Sequence, residues 1–107
     1  MNGHVLPEAF RELERFVDWS LPTEHERIAK RVATPMEEII QFHGAMSRRL
    51  EEIIVYLNQY PYAEMPSDGQ RLCDMALSLV EVSNLVEMYK NPENLNMMDA
   101  ERFVAFD

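Results

Sequence analysis

The chain has 107 residues, 47% of them hydrophobic, and its 19 acidic and 10 basic residues give a formal charge of −9. A chain of this size has room for one hydrophobic core, so we expect residues 1–107 to form a single domain. The acidic charge repels polyanions, which argues against nucleic-acid binding. The basic minority lies mainly in the first half, so any anion is expected to bind near Arg27, Lys30, Arg31, Arg48 and Arg49.

Targeting signals are not apparent. The start, MNGHVLPEAF, lacks the basic region and the apolar run of a signal peptide, and no apolar run approaches the ~18 residues of a membrane span. One cysteine cannot form an internal disulfide, which is typical of a reducing compartment. We therefore expect a cytoplasmic protein that does not bind membranes.

Helix-start signals organise the first third of the chain. A short N-terminal tail (1–6) precedes a first helix over 7–20. Thr23 and Glu26 then have the S/T-x-x-E spacing of a capping box, in which a hydroxyl and a carboxylate satisfy unpaired amides at a helix start. This spacing predicts a short helix over 24–33.

The remaining signals predict a helical hairpin. Thr34 and Glu37 repeat the capping spacing, with Pro35 at the first helical position, and predict a long helix over 36–59. A kink at Pro35 within one continuous helix is the alternative. Ser67 and Gln70 have the related Ser-x-x-Gln spacing and predict a helix over 68–90. The short turn between 59 and 68 makes the two long helices antiparallel neighbours in an all-α bundle with the shorter N-terminal helices.

The two long helices differ in how their apolar residues are distributed. The first has one apolar stripe, formed by Met36, Ile39, Ile40, Met46, Leu50, Ile53, Ile54 and Leu57. The second is apolar over most of its circumference, with Leu72, Met75, Ala76, Leu79, Val80, Val82, Val86 and Tyr89. A helix with so little polar surface is expected at the centre of a bundle or against a second copy, so we predict a homodimer.

His43 falls on the stripe of the first long helix. Antiparallel pairing places it opposite residues 80–87, where Glu81 or Asn84 could orient the imidazole as a general base. A structural core histidine is the favoured interpretation. Cys73 is about eleven residues, or ~16 Å, from the position that faces His43, so a Cys–His dyad is not expected.

Motifs for cofactors are missing. The chain has no E-x-x-H pair for a helical metal site and no glycine-rich phosphate loop, so we expect neither a metal nor another cofactor. Gly44 lies inside the predicted long helix, where glycine costs about 1 kcal/mol. A close helix crossing is the favoured explanation, and the approach of a ligand is the alternative.

Aromatic and methionine residues suggest surfaces for a protein partner. Tyr60 and Tyr62 lie at the turn of the hairpin, and residue types of this kind are common at binding hot spots. The C-terminal segment over 91–107 could pack on the bundle or dock on a partner through an apolar face. Its candidate contact residues are Met97, Met98, Phe103 and Phe106.

The stretch YLNQYPYAEMPSDGQRLCDMALSLVEVSNLVEMYKNP resembles small uncharacterised helical proteins of bacteria, in which a YL..YP turn precedes an apolar helix that ends in VE.Y..P. This resemblance covers about a third of the chain. It implies the helical hairpin and attaches no activity, cofactor or catalytic residue.

Two hypotheses of function follow. The first is a small interaction protein, an accessory or regulatory subunit without catalytic activity. The second is a small-molecule-binding bundle or simple enzyme, with a pocket around His43, Glu81 or Asn84 as its partner, and Tyr56 or Tyr60 in the lining.

Overall fold

The computed structural model describes residues 5–90, and all regular structure in this range is helical. The predicted all-α fold is therefore confirmed. In chain order the elements are a 3₁₀ segment (Glu8–Trp19), α1 (Glu24–Ala33), α2 (Met36–Arg48), α3 (Leu50–Leu57), a 3₁₀ turn (Tyr62–Glu64) and α4 (Ser67–Lys90). The predicted contact residues beyond Lys90, in segment 91–107, lie outside the described residues.

The first segment is a 3₁₀ helix rather than a regular α-helix, and the spacing of its large apolar residues explains why. Phe10, Leu13, Phe16 and Trp19 follow each other at intervals of three, and a 3₁₀ helix has three residues per turn. All four therefore face the core, where only Phe16 keeps part of its surface exposed. The backbone leaves helical angles at Phe10 (φ −123°, ψ 25°) and Phe16 (φ −107°, ψ 15°), so the winding is not continuous.

Val5 and Leu6, which the sequence assigns to an N-terminal tail, are held against the 3₁₀ segment. The backbone N–H groups of Val5 and Leu6 donate to Oε2 of Glu14 across 2.8 and 3.0 Å, and Leu6 is buried in the core. Leu6 is thus part of the packed structure, and the carboxylate of Glu14 in the 3₁₀ segment satisfies its backbone amide.

The predicted start of α1 is confirmed. The Thr23 hydroxyl oxygen accepts from the backbone N–H of Glu26 at 3.2 Å, which satisfies one of the amides left unpaired at a helix start. The Glu26 carboxylate accepts from the Thr23 hydroxyl at 2.9 Å.

The second predicted capping box does not form. The Thr34 hydroxyl donates back to the Lys30 carbonyl at 2.6 Å, so it serves the end of α1. Thr34 and Pro35 both have extended backbone angles, and α2 begins directly after them. Pro35 therefore separates two helices and does not kink one.

The start of α4 also lacks the predicted cap. The Gln70 backbone N–H donates to the Pro66 carbonyl at 2.9 Å, and its side-chain amide donates to the Met65 carbonyl at 3.2 Å. Gln70 thus reaches back to the residues before the helix instead of exchanging hydrogen bonds with Ser67.

The predicted long helix over 36–59 is broken at Arg49, whose backbone angles (φ −110°, ψ 9°) separate α2 from α3. Neither proline nor glycine lies at this point in the sequence. The Arg49 side chain contacts the N-terminal segment, where its guanidinium donates to the Ala9 carbonyl at 3.0 Å and to the Glu12 carboxylate. The break coincides with these long-range contacts.

The antiparallel hairpin is present, with α2 and α3 on one arm and α4 on the other. Near its turn, Tyr56 lies beside Gly69, and near its open end His43 lies in the electrostatic field of Glu87 and Lys90. The described core is one cluster, to which α4 contributes the largest share: Leu72, Met75, Leu79, Val82 and Val86 are buried. α4 packs against α1, α2, α3 and the 3₁₀ segment and is therefore the central helix.

Three apolar residues of the predicted long helices are exposed. They are Ile54 on α3 and Val80 and Tyr89 on α4. Phe42, which the predicted stripe omitted, is fully buried and stacks on Trp19 with ring centroids 4.6 Å apart. None of the helices described between residues 5 and 90 combines the length and hydrophobicity needed to cross a bilayer.

Candidate functional site

His43 lies on α2, half-buried, at the end of the bundle where α4 finishes. Its Nδ1 atom is buried and has no hydrogen-bond partner among the described residues. Burial and the positive charge of Lys90 lower the pKa of the imidazole, and the negative charge of Glu87 opposes them. The predicted region of α4 is thus correct, but His43 lacks the orienting hydrogen bond that a general base needs at Nδ1.

The two residues predicted to orient His43 do not bond to its Nδ1. Glu81 accepts a hydrogen bond from Nε of Arg31 on α1 at 2.9 Å, and Asn84 lies on the exposed side of α4. Cys73 precedes Glu87 by fourteen residues along α4, about 20 Å, so the Cys–His dyad is not formed. Burial and nearby Asp74 raise the pKa of the Cys73 thiol, with Arg27 opposing them, which disfavours the thiolate.

A cavity of about 680 Å³ lies between the 3₁₀ segment, α2 and the end of α4, and Gly44, the residue after His43, belongs to its lining. Four basic side chains line it: Arg15, Arg48, Arg49 and Lys90. Glu12 is the acidic residue in the lining, and it forms an ion pair with Arg49. We call this feature the cationic cavity, since its lining has a positive excess in an acidic protein.

The lining of the cationic cavity also has an apolar part, which we call its floor. It consists of Leu13, Phe16, Ile40 and Ala45, and Gly44 belongs to the same lining. A Cβ atom added at Gly44 would meet only Nη1 of Arg48, at 3.6 Å, which is an ordinary contact. The predicted close helix crossing at Gly44 is therefore wrong, and the residue opens onto the cavity instead.

Half of this site is visible in the sequence. Arg48 and Arg49 belong to the basic residues near which an anion is expected, whereas Arg15 and Lys90 are distant from them in sequence. The local signal that was available is Gly44, for which ligand approach was the alternative explanation.

A second concave surface lies between the 3₁₀ segment and α3. Its apolar lining comprises Phe10, Ile54, Val55 and Tyr56, and we call it the α3 groove. The two tyrosines predicted to bind a partner follow it in sequence. Tyr60 is half-buried, with its ring 5.7 Å from that of Tyr56, and Tyr62 is exposed.

A third surface consists of aliphatic residues on two neighbouring helices. Leu77 and Val80 lie three residues apart on α4, and Ile28 and Val32 lie one turn apart on α1. All four are exposed, and we call them the α1–α4 face. They are hydrophobic side chains that the described part of the chain leaves uncovered.

Metal ligands do not converge in the part of the chain that the structure describes. Within 5–90, no three His, Cys, Asp or Glu side chains come close enough to hold an ion. No protein-family model matches the chain, no curated protein matches it, and no solved structure matches it.

Proposed function

We propose that this protein is a non-catalytic helical interaction protein of the cytoplasm, an accessory or regulatory subunit that pairs with a second copy through the α1–α4 face. The observation that supports this proposal is the exposure of aliphatic residues on the central helix. Val80 is 69% exposed on α4, and Val32 is 74% exposed on the adjoining α1. Covering such side chains gains about 25 cal/mol for each Å² removed from water.

The packing of α1 on α4 supports treating the four residues as one face. Arg31 on α1 pairs with Glu81 on α4, and Arg27, one turn earlier, influences Asp74, which lies earlier on α4. The two helices therefore run in the same direction, side by side. The aliphatic pairs lie on adjacent helices, where one partner surface can cover both.

Charge favours a second copy as the occupant. Helix α1 has three bases and two acids, whereas α4 has four acids and two bases. A two-fold axis lets α1 of one copy approach α4 of the other, so that each basic helix meets an acidic one. The pairing is then self-complementary and buries the α1–α4 face twice.

Sedimentation velocity of the full chain tests this proposal with two matched variants. Val80→Glu introduces a charge into the α1–α4 face, whereas Val55→Glu makes the same change at a valine that is 64% exposed in the α3 groove. We expect a dimer for the wild type and Val55→Glu. For Val80→Glu we expect a monomer, with dimerisation weakened about 100-fold or more, because an unpaired carboxylate would be buried. A monomeric wild type, or equal effects of the two variants, contradicts the proposal.

The accessory-subunit role needs a second, different partner. Tyr62 is exposed and follows the α3 groove in sequence, which supports an interaction on these elements and not on the α1–α4 face. Native mass spectrometry of the protein isolated from its own cells tests this role. We expect a larger protein bound in fixed stoichiometry, lost with Tyr62→Ala and retained with Val80→Glu. A complex that survives Tyr62→Ala and Val55→Glu contradicts the location.

Small-molecule binding is a second candidate function, and the cationic cavity is the observation that favours it. His43 itself does not favour it, because its Nδ1 atom is unpaired and Glu81 is bound to Arg31.

A further inference from the structure

We propose that the cationic cavity binds a single-chain anionic amphiphile, with its carboxylate held by Arg48 and Lys90 and its apolar chain on the cavity floor. This inference rests on the small-molecule candidate and is independent of pairing through the α1–α4 face. It follows from the charge of the lining, the hydrogen bonds and ion pairs of its three arginines, and the apolar floor.

The charge of the lining opposes that of the whole protein. Residues 5–90 contain nine of the ten Lys and Arg residues, and four of these nine line the one cavity. A cluster of cations repels itself, which costs free energy unless an anion neutralises it. A concave wall of one charge also concentrates ions of the opposite sign. The favoured ligand is therefore an anion.

The cations differ in how far the protein already satisfies them. Arg49 donates to Glu12, to Glu52 at 2.6 Å and to the Ala9 carbonyl at 3.0 Å. The Arg15 guanidinium lies 4.7 Å from the centre of the Phe16 ring. Arg48, in contrast, forms no ion pair with any carboxylate of residues 5–90. Its planar guanidinium is suited to holding a carboxylate through two parallel hydrogen bonds.

The position of Arg48 relative to the floor determines the shape of the ligand. Its Nη1 atom lies 3.6 Å from where a Gly44 Cβ would be, and Gly44 lines the same cavity as the apolar residues Ile40 and Ala45. A ligand that reaches Arg48 therefore also contacts aliphatic surface, where a polar ligand would lose hydration without gaining hydrogen bonds. The volume of about 680 Å³ lies in the ~300–1,000 Å³ range of small-molecule sites.

Isothermal titration of the full chain with decanoate, below the concentration at which it forms micelles, tests the proposal. Decan-1-ol has the same chain without the charge. We expect one decanoate per chain, and binding of decan-1-ol weaker by about tenfold or more, since a charge-assisted hydrogen bond contributes that much. Higher salt should weaken decanoate binding and leave decan-1-ol unchanged.

Two pairs of variants localise the binding. Arg48→Gln should weaken decanoate binding about tenfold or more, whereas Arg11→Gln, an exposed arginine outside the cavity lining, should change it less than about twofold. Ala45→Leu should also weaken binding by filling the floor, whereas Val55→Glu in the α3 groove should not. Circular dichroism and thermal melts confirm that each variant is folded.

An independent readout is the backbone amide of Gly44, which should shift in ¹H–¹⁵N spectra as decanoate is added and should not shift in Arg48→Gln at the same concentrations. Absence of saturable binding, equal affinity for decanoate and decan-1-ol, or equal effects of Arg48→Gln and Arg11→Gln overturns the proposal. A monomeric wild type that binds decanoate would refute only the pairing through the α1–α4 face. A dimeric wild type that does not bind decanoate would refute only the proposed ligand of the cationic cavity.

Discussion

Arg31 and Glu81 connect α1 to the central helix through a partly buried ion pair, in which Nε of Arg31 donates to the carboxylate across 2.9 Å. Their side chains are 30% and 20% exposed, so water screens this pair less than a surface pair. We predict a coupling of about 1 kcal/mol in a double-mutant cycle of Arg31→Met and Glu81→Gln, measured by urea unfolding.

The matched control for this cycle is the pair Arg49 and Glu52, whose glutamate side chain is 62% exposed. Its coupling should be about 0.3 kcal/mol, as is usual for exposed pairs one helical turn apart. Equal couplings for the two cycles would mean that burial does not strengthen the Arg31–Glu81 pair.

His43→Leu should stabilise the protein. The imidazole has a buried Nδ1 atom without a partner, and an unsatisfied buried polar atom costs about 1–3 kcal/mol. We expect the free energy of unfolding at pH 7 to rise by about 1 kcal/mol, with no change for His25→Gln at an exposed position. A loss of stability would mean that the imidazole makes a favourable contact that leucine cannot replace.

The same histidine should make stability depend on pH. Burial and the charge of Lys90 hold the pKa of His43 below its usual 6.5, against the opposing effect of Glu87. As pH falls, the unfolded chain binds this proton first. The part of the free energy of unfolding that depends on the protonation of His43 is therefore highest above pH 6.5. It is lost as pH falls through the folded-state pKa. The advantage of His43→Leu should grow between about pH 7.5 and about pH 5.5 in parallel urea titrations.

The two described glycines should respond to alanine in opposite ways. A Cβ at Gly69 would lie 2.8 Å from Cγ of Met65, a buried side chain, and 3.5 Å from the Tyr56 ring. Gly69→Ala should destabilise the protein by about 1–3 kcal/mol through overpacking. Gly44→Ala should stabilise it by about 1 kcal/mol, because alanine is the better helix former and its Cβ would make only an ordinary contact with Arg48. Thermal unfolding of the two variants measures both effects, and the same sign for both would contradict the packing described.

Ser78 should contribute more to stability than Ser83, although both hydroxyls donate to a carbonyl. Ser78 is fully buried and donates to the Trp19 carbonyl at 2.6 Å, which joins α4 to the end of the 3₁₀ segment. Ser78→Ala should cost about 1–2 kcal/mol, because the carbonyl loses its partner away from water. Ser83 donates to Leu79 within its own helix at 2.7 Å, so Ser83→Ala should change stability by less than about 0.5 kcal/mol.

Fluorescence of Trp19, the single tryptophan, follows both serine variants. Its ring is buried and stacked on Phe42, so movement of the 3₁₀ segment away from α4 would shift its emission. Ser78→Ala should show this shift at lower urea than Ser83→Ala. Coincident unfolding curves would argue against a structural role for the Ser78 hydrogen bond.

The sequence by itself determined the positions of the helices that have local signals. Thr23 caps α1 through an atom three residues away. Pro35 predicted a change of direction but left a restart and a kink open, and the extended backbone angles of the structure decide for the restart. The helix predicted over 7–20 is present, but its 3₁₀ winding was not predicted from the interval of three between Phe10 and Trp19. Such signals can be read from sequence because the interacting atoms are within one turn of each other.

Tertiary structure alone decided where the long helix breaks and which side chains meet in the cationic cavity. Arg49 donates to Ala9, forty residues earlier, and Lys90 reaches the cavity from the far end of α4. The tertiary structure also decided that Val80 remains exposed. Helix α4 is apolar on almost every side, so only the placement of the neighbouring helices selects which side is covered. These features depend on packing between residues distant in sequence, for which no local spacing provides a signal.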